Sequence, residues 1–261
     1  MSEIEKPKNT ADELAVPQAE KSLAEPQVSL SLLRLMQLTS PSLPVGAFAY
    51  SGGLESAVEI GLLHDLESSR LWIGNIMQAG LARLDVPLFY RLYQAWEASD
   101  ESELKRLNSQ LFAQRETSEL QAEDAHMGGA LSRLLGDLGM AEIRLWARAE
   151  RVSFTTMFAL ASVKWQIEIN QAATGLLWSW LENQVAAAIK LVPLGQTDGQ
   201  RLIGLLLQEI PALLAQAKQL SKQSIDQSTD QSTDDEIGSC LPMLAILSAQ
   251  HETQYSRLFR S

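Results

Sequence analysis

Apolar residues recur at three- and four-residue steps through most of this 261-residue chain, and that spacing is the period of an amphipathic α-helix. The pattern predicts a first helix over residues 30–38 and another that has Asp65 as its N-cap and continues through Leu81. Asp85, followed by Pro87 in the first turn, indicates the N-cap of the next helix. We therefore predict an all-α fold, a single-domain helical bundle of about eight to ten helices.

The next segments combine charged and very small residues. A helix starting near Asp100 precedes residues 114–136, which are charged at first and small in the middle. Gly128 and Gly129 each lower helix stability by about 1 kcal/mol relative to alanine, so such residues usually mark a bend or a close crossing of two helices. We interpret this pair as a site of helix packing rather than of ligand contact.

The most apolar half of the chain runs from Phe154 to Ile210. A helix that is apolar on every side is covered on more than one side. Two interpretations stay open: a second subunit covers it, or it is the central helix of a monomeric bundle. Pro193 and Gly195 then break the pattern, and one further helix is predicted from about residue 200 to 220.

The ends of the chain and one internal stretch depart from the helical pattern. Residues 1–28 are polar and contain proline, which predicts a disordered tail before the helical domain at 29–220. Residues 221–239 are repetitive, acidic and rich in hydroxyl groups, which predicts a flexible linker. Residues 240–261 are rich in Leu, Ile, Phe and Arg. This last segment either docks on a partner and orders on binding or packs back on its own core as a final helix.

Composition narrows the class of function. A formal net charge of -11 argues against a nucleic-acid binder or a protein held on anionic lipid, and it suits basic protein partners. The single cysteine excludes an internal disulfide framework and fits a reducing cytoplasm. The N-terminal stretch lacks the apolar core of a signal peptide, and prolines and glycines interrupt the uncharged run at 35–54, so we expect neither secretion nor a membrane span.

The search for catalytic motifs is mostly negative. The sequence has no GxxxxGK[ST] phosphate loop and no GxGxxG fingerprint, and Ser51 does not lie in a GxSxG elbow. The acidic pairs formed by Glu116 with Glu119 and by Glu123 with Asp124 are interpreted as a solvated helix face rather than as acid and base partners.

Metal binding within one chain also has little support. The three histidines, His64, His126 and His251, are far apart in sequence and lack the spacing of a HExxH helix, so we interpret them as solvated or capping residues. A site shared across an interface, using His251 or Cys240, stays open as a hypothesis.

Residues 39–59, TSPSLPVGAFAYSGGLESAVE, crowd special backbone residues, aromatic rings and a helix start into one stretch, here called the N-terminal platform. Its prolines must stop the first helix, and Gly46 allows a close or left-handed backbone approach. Taken alone, this is an ordinary loop between two helices. Its order of Pro44, Gly46, Tyr50, Ser51 and Glu55 nevertheless resembles the N-terminal signature of the UreF family of urease accessory proteins.

Two later blocks strengthen the resemblance, namely KLVPLGQTDGQ and the terminal HETQYSRLFRS. Three blocks in the right order are more specific than one, and they cover nearly the whole chain apart from the tail and the linker. The first block departs from the family at Gly52 and Ser56, where larger residues are common. This departure puts in doubt a side-chain role at those two positions.

The resemblance implies an all-α, homodimeric, non-enzymatic protein. Such proteins bind urease accessory protein D (also called H) and the GTPase G, and together they deliver nickel to apo-urease in the cytoplasm. In that picture the C-terminal segment orders against protein D, and the dimer then recruits the GTPase. No stably bound cofactor, nucleic acid or membrane is expected, because the nickel is handled by the complex.

The resemblance also assigns partner-binding residues in three groups. The platform residues shape and line a surface, on which Glu55 is expected to modulate the GTPase or, alternatively, to serve only as a carboxylate at a helix N-terminus. Residues flanking the second block are expected to contact partners or a polar passage. The terminal residues are expected to dock on protein D with Phe259 as the anchor. These positions are Pro44, Gly46, Tyr50, Ser51 and Glu55; Lys190 and Gln196; and Arg257, Leu258, Phe259 and Arg260.

Three functional hypotheses follow. A scaffold in a nickel-delivery complex predicts a dimer without turnover. A helical hydrolase or lyase that uses the acidic residues predicts shifted carboxylates in a cleft. A generic helical adaptor of an unrelated complex also predicts a docking tail, and only the order of the motifs separates it from the scaffold.

Overall fold

A computed structural model of the protein describes residues 29–146, 151–226 and 237–260. The predicted N-terminal tail and most of the predicted linker lie outside these residues. Within them, the all-α prediction is confirmed, with slightly more helices than expected. The α-helices are α1 (Leu30–Leu38), α2 (Leu54–Glu59), α3 (Leu66–Ile76), α4 (Asp85–Ala98), α5 (Glu101–Ala113), α6 (Ser118–Asp137), α7 (Phe154–Lys164), α8 (Ile169–Leu191), α9 (Gln196–Leu207), α10 (Ile210–Asp226) and α11 (Pro242–His251). Short non-α turns lie at Ala47–Ala49, Met77–Leu81 and Ala141–Trp146.

Local start signals predicted two of three helix starts correctly. The Asp65 side chain accepts a hydrogen bond from the Ser68 backbone N–H and completes a capping box, and Asp100 caps α5 through the Glu103 N–H. The prediction for Asp85 is wrong, because α4 begins at Asp85 itself with Leu84 in the cap position. The Asp85 carboxylate is turned instead toward a buried guanidinium.

The second half of the chain differs from the prediction at two boundaries. The single helix expected at 200–220 is two helices, α9 and α10, because Pro211 fits only the first turn of a helix and so favours a new start at Ile210. The linker boundary at residue 221 is placed too early, since α10 continues to Asp226 and the Ser221 carbonyl accepts a hydrogen bond from Arg91 Nε.

The core lies between α4, α7 and α8. Phe89 of α4 makes edge-to-face contacts with Tyr93 and with Phe158 of α7, and these rings are almost wholly buried. The apolar side chains of α7 are thus covered by helices of the same chain, as the central-helix interpretation predicts. In the described ranges, no helix combines the length and the apolar character that a membrane crossing requires.

A buried ion-pair cluster connects α4, α6 and α7. Arg115 donates to Asp85 from both terminal guanidinium nitrogens and to Asp124 Oδ2 from Nε over 3.2 Å. Asp124 also accepts from the Ser153 hydroxyl and from the Phe154 N–H at 2.8 Å. Burial opposes the charge on Arg115, but the two carboxylates outweigh it and raise the pKa of the guanidinium. Asp124 therefore does not lie on a solvated face, as the sequence predicted.

Gly128 marks the close helix crossing that the sequence predicted. A Cβ atom at this position would lie 2.0 Å from the Val152 carbonyl oxygen, where the chain enters α7. At Gly129 the nearest atom to such a Cβ would be a flexible Arg133 nitrogen at 3.6 Å. Only the first glycine of the pair is therefore required by packing.

We expect opposite effects from alanine at the two glycines. Gly128→Ala pushes the backbone of α6 away from the backbone at Val152. The substitution should therefore lower the free energy of unfolding by about 1–3 kcal/mol. Gly129→Ala should leave stability unchanged or raise it by about 0.5–1 kcal/mol, because it reduces the entropy lost on helix formation. Urea denaturation followed by circular dichroism measures both. Equal effects would contradict the assigned crossing.

Arg115→Met should be among the most destabilising substitutions in the chain. It leaves Asp85 and Asp124 buried without their cation, which costs about 3–5 kcal/mol. The matched control is Arg201→Met, which removes an exposed pair with Asp198 and should cost less than about 1 kcal/mol. A similar loss in both variants, measured by urea denaturation, would show that the cluster does not hold the helices together.

Candidate partner-binding site

The N-terminal platform is a rigid turn rather than a flexible loop. Gly46 and Gly53 both have φ near +78°, a conformation that side chains other than glycine rarely adopt. Tyr50 is buried, its hydroxyl lies 3.0 Å from His126 Nδ1, and its carbonyl accepts from Asn183 of α8 over 3.2 Å. Ser51 is fully buried, and its Oγ accepts the Glu55 N–H at the start of α2. These contacts fix the position of Glu55.

The Glu55 carboxylate holds the end of the chain. Its Oε1 accepts the Leu258 N–H over 2.6 Å, and its Oε2 accepts the Phe259 N–H over 2.8 Å. The same Oε2 lies 3.2 Å from His251 Nε2, and Glu55 is only 7% exposed. A carboxylate that accepts several hydrogen bonds in a buried place is a strong anchor. The side chain is thus more than a charge at a helix N-terminus.

His251 continues this contact toward α6. The imidazole is fully buried, and its Nδ1 lies 3.0 Å from both carboxylate oxygens of Glu119. Arg257 Nη1 donates to the same carboxylate over 3.1 Å. The interpretation of His251 as solvated or capping, and of Glu119 as part of a solvated face, is therefore wrong. Contacts run from Glu55 through His251 and Glu119 to Arg257, and this set of four side chains is called the charged latch.

The terminal residues point to different sides. Phe259 is buried, and the Lys190 ammonium lies 5.4 Å from the centroid of its ring, within the range of a cation–π contact. The Arg260 N–H donates to the Ala49 carbonyl of the platform over 2.8 Å. Leu258, in contrast, is 66% exposed, and Tyr255 is fully exposed. The segment has an anchored inner side and an apolar outer side.

Helix α11 packs on α2 and thereby supports the latch. Leu247 is buried with Leu54 in a small cluster separate from the main core. Gly53 permits the close approach, since a Cβ there would lie 2.8 Å from Leu244 Cδ1. Ser248 shares a buried 2.7 Å hydrogen bond with Thr117, the N-cap of α6. Of the two alternatives for residues 240–261, the structure has the segment folded back on its own chain.

The structure brings most of the predicted partner-binding residues to one place. Contacts join the platform and Lys190 to the terminal residues, whereas Pro44 is exposed on the platform turn and Gln196 is exposed at the start of α9. The sequence reasoning considered His251 only as a solvated or capping residue or as a metal ligand, and it missed the contact of His251 with Glu55 and Glu119. The only advance signal for His251 is that it occurs in a block with family resemblance.

The metal hypothesis has a clear geometric obstacle in this conformation. Both ring nitrogens of His251 are within hydrogen-bond distance of carboxylate oxygens, so neither nitrogen is directed at an open position, and Cys240 is exposed. Within the parts of the chain that the structure describes, no group of three or more His, Cys, Asp or Glu side chains has an arrangement that suits a metal ion.

Comparison with known proteins gives the family. The UreF family model matches residues 63–206, which is more than half of the chain. The chain belongs to the UreF family. The "Urease accessory protein UreF" of Azoarcus sp. (strain BH72) is 45% identical over 237 residues, covering 89% of this chain and 96% of the relative. That of Hahella chejuensis (strain KCTC 2396) is 43% identical over 232 residues, covering 89% and 99%. The "Urease accessory protein UreF 2" of Brucella anthropi is 44% identical over 233 residues, covering 89% and 97%.

Glu55→Gln should loosen the C-terminal segment of this UreF protein without unfolding the core. The amide replaces one of the two acceptor oxygens and removes the charge opposite His251, and hydrogen bonds to charged groups contribute about 1.5–3 kcal/mol. We expect amide hydrogen exchange at Leu258 and Phe259 to accelerate roughly tenfold or more. Glu59→Gln, an exposed position in the same helix, is the control and should leave both amides protected. Unchanged exchange in Glu55→Gln would exclude the carboxylate as the anchor.

Proposed function

We propose that this UreF-family protein is a urease accessory protein that acts as a non-catalytic, homodimeric scaffold for delivery of nickel to apo-urease. In this role it binds accessory protein D/H through residues 240–261 and recruits the GTPase G. The observation that carries the proposal is the C-terminal segment, which the charged latch holds in one conformation while its apolar outer side faces solvent. Membership of the UreF family supports an assembly with urease proteins over an unrelated complex.

The exposed side of the segment is the proposed docking surface for protein D/H. Tyr255 and Leu258 are exposed on the terminal turn, and Met243 and Ile246 are about half exposed on α11. Large apolar side chains left exposed along one segment suit an interaction site. Phe259 was expected to be the anchor on the partner, but it is buried in its own chain. We therefore assign the docking contacts to Tyr255 and Leu258 and the inner anchoring to Phe259.

The latch gives Glu55 an indirect role toward the GTPase. Both of its carboxylate oxygens are hydrogen-bonded within the chain, and only 7% of the residue is exposed. A side chain in this state is poorly placed to contact another protein. We infer that Glu55 influences the GTPase by fixing the segment and the adjacent platform, and that the exposed part of this surface makes the contact.

An exposed face of α1 supports the proposed dimer. The side chains of Leu30, Leu33 and Met36 are 67%, 49% and 59% exposed, and they recur at three-residue steps. Since the apolar side chains of α7 are already covered within one chain, α1 is a better place for a second subunit than the central stretch.

The acidic residues support a scaffold more than a hydrolase or lyase. Glu119 is bonded to His251 and Arg257, and Asp124 is bonded to Arg115. In each of the two pairs weighed as acid and base, one carboxylate is therefore already engaged by a basic side chain of the same chain. This arrangement favours a structural role for Glu119 and Asp124 over a catalytic one.

The test is size-exclusion chromatography with light scattering on the intact chain and on a Tyr255→Ser/Leu258→Ala variant, with purified protein D/H and GTPase G. We expect the intact dimer to form the complex and the variant to remain a folded dimer whose affinity is at least about tenfold weaker, as for truncated interface anchors. Leu138→Ala removes another exposed leucine, 51% exposed directly after α6, and is the control.

Failure of the intact chain to bind folded partners would overturn the scaffold proposal. A complex that the double variant forms as tightly as the intact chain would move the docking surface away from the C-terminal segment. Phe259→Ala is a weaker test, since loss of its buried ring disturbs the latch as well as any contact with a partner.

A further inference from the structure

A cavity of about 320 Å³ opens beside the platform and is separate from the latch. Its walls come from the turn after α1, the platform, the start of α6, the middle of α8 and the entry to α11. Apolar side chains make up most of the wall, as in sites that bind one organic group. Neither the latch nor the proposed docking surface uses this cavity.

The charges of the cavity wall have one dominant sign. Among the described residues that line the cavity, Arg115 is the one basic side chain, and it is already paired with Asp85 and Asp124. Glu116 and Glu182 also line the cavity, and neither forms an ion pair with a residue that the structure describes. A partly enclosed space lined by carboxylates attracts a positively charged ligand and repels an anion. The acidic residues of the wall are Asp85, Asp124, Glu116, Glu123 and Glu182.

Aromatic rings give the cavity a second feature that suits a cation. Phe48 is 68% exposed although it lies on a rigid turn, and it lines the cavity together with Trp180. The faces of such rings attract ammonium and guanidinium groups. Partial burial raises the pKa of Glu182, as is expected for a carboxylate that lacks a nearby positive charge. A cation that enters would remove this cost.

We propose that this cavity receives the side chain of an arginine or lysine presented by a protein partner. The apolar wall would contact the methylene groups, and Phe48, Trp180 and the carboxylates would contact the charged end. A macromolecular partner is favoured because the exposed Phe48 ring at the platform surface suits an apolar protein surface around the inserted residue. The net charge of -11 suits such a basic surface. The proposal deepens the proposed function, because the partner is sought among the proteins of the urease assembly.

The first experiment tests the cavity without any partner. N-acetyl-arginine amide is titrated into the intact protein, and N-acetyl-citrulline amide serves as its neutral isostere. We expect saturable shifts of the Trp180 indole resonance with the arginine probe, with a dissociation constant on the order of millimolar because a single side chain carries little of an interface. Citrulline should give no saturation. Identical, non-saturating responses to the two probes would overturn the proposal.

Substitutions locate the site. Glu182→Gln and Phe48→Ala should each weaken arginine binding several-fold, and the pair together by at least about tenfold. Glu97→Gln removes the same charge from an exposed position on α4 outside the cavity and should bind the probe as the intact protein does. Equal weakening by Glu182→Gln and Glu97→Gln would mean that only the overall charge attracts arginine, and the proposal would fail.

The second experiment separates this proposal from the scaffold. Complexes with protein D/H and the GTPase are measured for the intact chain and for Phe48→Ala/Glu182→Gln, whose C-terminal segment is unaltered. We expect the affinity of the complex to fall at least about tenfold in this variant. We also expect the arginine probe to inhibit complex formation and citrulline to leave it unchanged. Both results together support insertion of a basic side chain. Complex formation that the variant leaves unchanged overturns the cavity proposal and retains the scaffold.

If the chain binds the arginine probe at the cavity but does not bind the urease proteins, the proposed function is overturned and the cation site is retained. If the arginine probe instead dissociates a dimer of this chain in light scattering, the cavity is filled by a second copy, and the proposal of a different partner is overturned.

Discussion

The Glu55 carboxylate is the point at which the N-terminal platform meets the C-terminal segment. It lies in the first turn of α2, it is positioned by the buried Ser51, and it accepts the N–H groups of residues 258 and 259. A buried carboxylate is stable only when it is well hydrogen-bonded and paired with a cation. His251 contacts the same carboxylate, and Glu119 and Arg257 extend the network. The position of the C-terminal segment, and therefore of the surface that it presents, depends on this one group.

Much of the fold could be predicted because its signals are local. Asp65 and Asp100 cap helices through residues only three positions away, and the proline-rich turn after α1 ends that helix by its own geometry. The interpretation of Gly128 and Gly129 as a site of helix packing was also correct for Gly128. Only the three-dimensional crossing at Val152 distinguishes Gly128 from its neighbour, and two adjacent glycines in a sequence do not contain that information.

The parts that could not be predicted depend on contacts between distant residues. Asp85 has the spacing of an N-cap, but a buried guanidinium outweighs the modest benefit of capping. Glu119 and His251 are polar residues that the sequence alone would place in solvent. They are instead largely enclosed, because residues more than 100 positions apart meet in the fold. The single-helix prediction at 200–220 failed for another reason: apolar periodicity continued through Pro211 and concealed the break. Resemblance to a family brought residues 55 and 257–260 into one list, but it did not indicate which side of the segment faces inward.

The way in which Glu55 binds the end of the chain has one more consequence. It accepts backbone N–H groups, which every residue except proline provides, so its hold on position 258 is independent of the Leu258 side chain, while the buried Phe259 ring adds a separate anchor. Leu258 faces outward from this attachment and is free to vary. Anchoring and recognition are therefore carried by different atoms of the same residue, and a lineage of these proteins can change the partner that its C-terminal segment fits without redesigning the attachment that holds the segment in place.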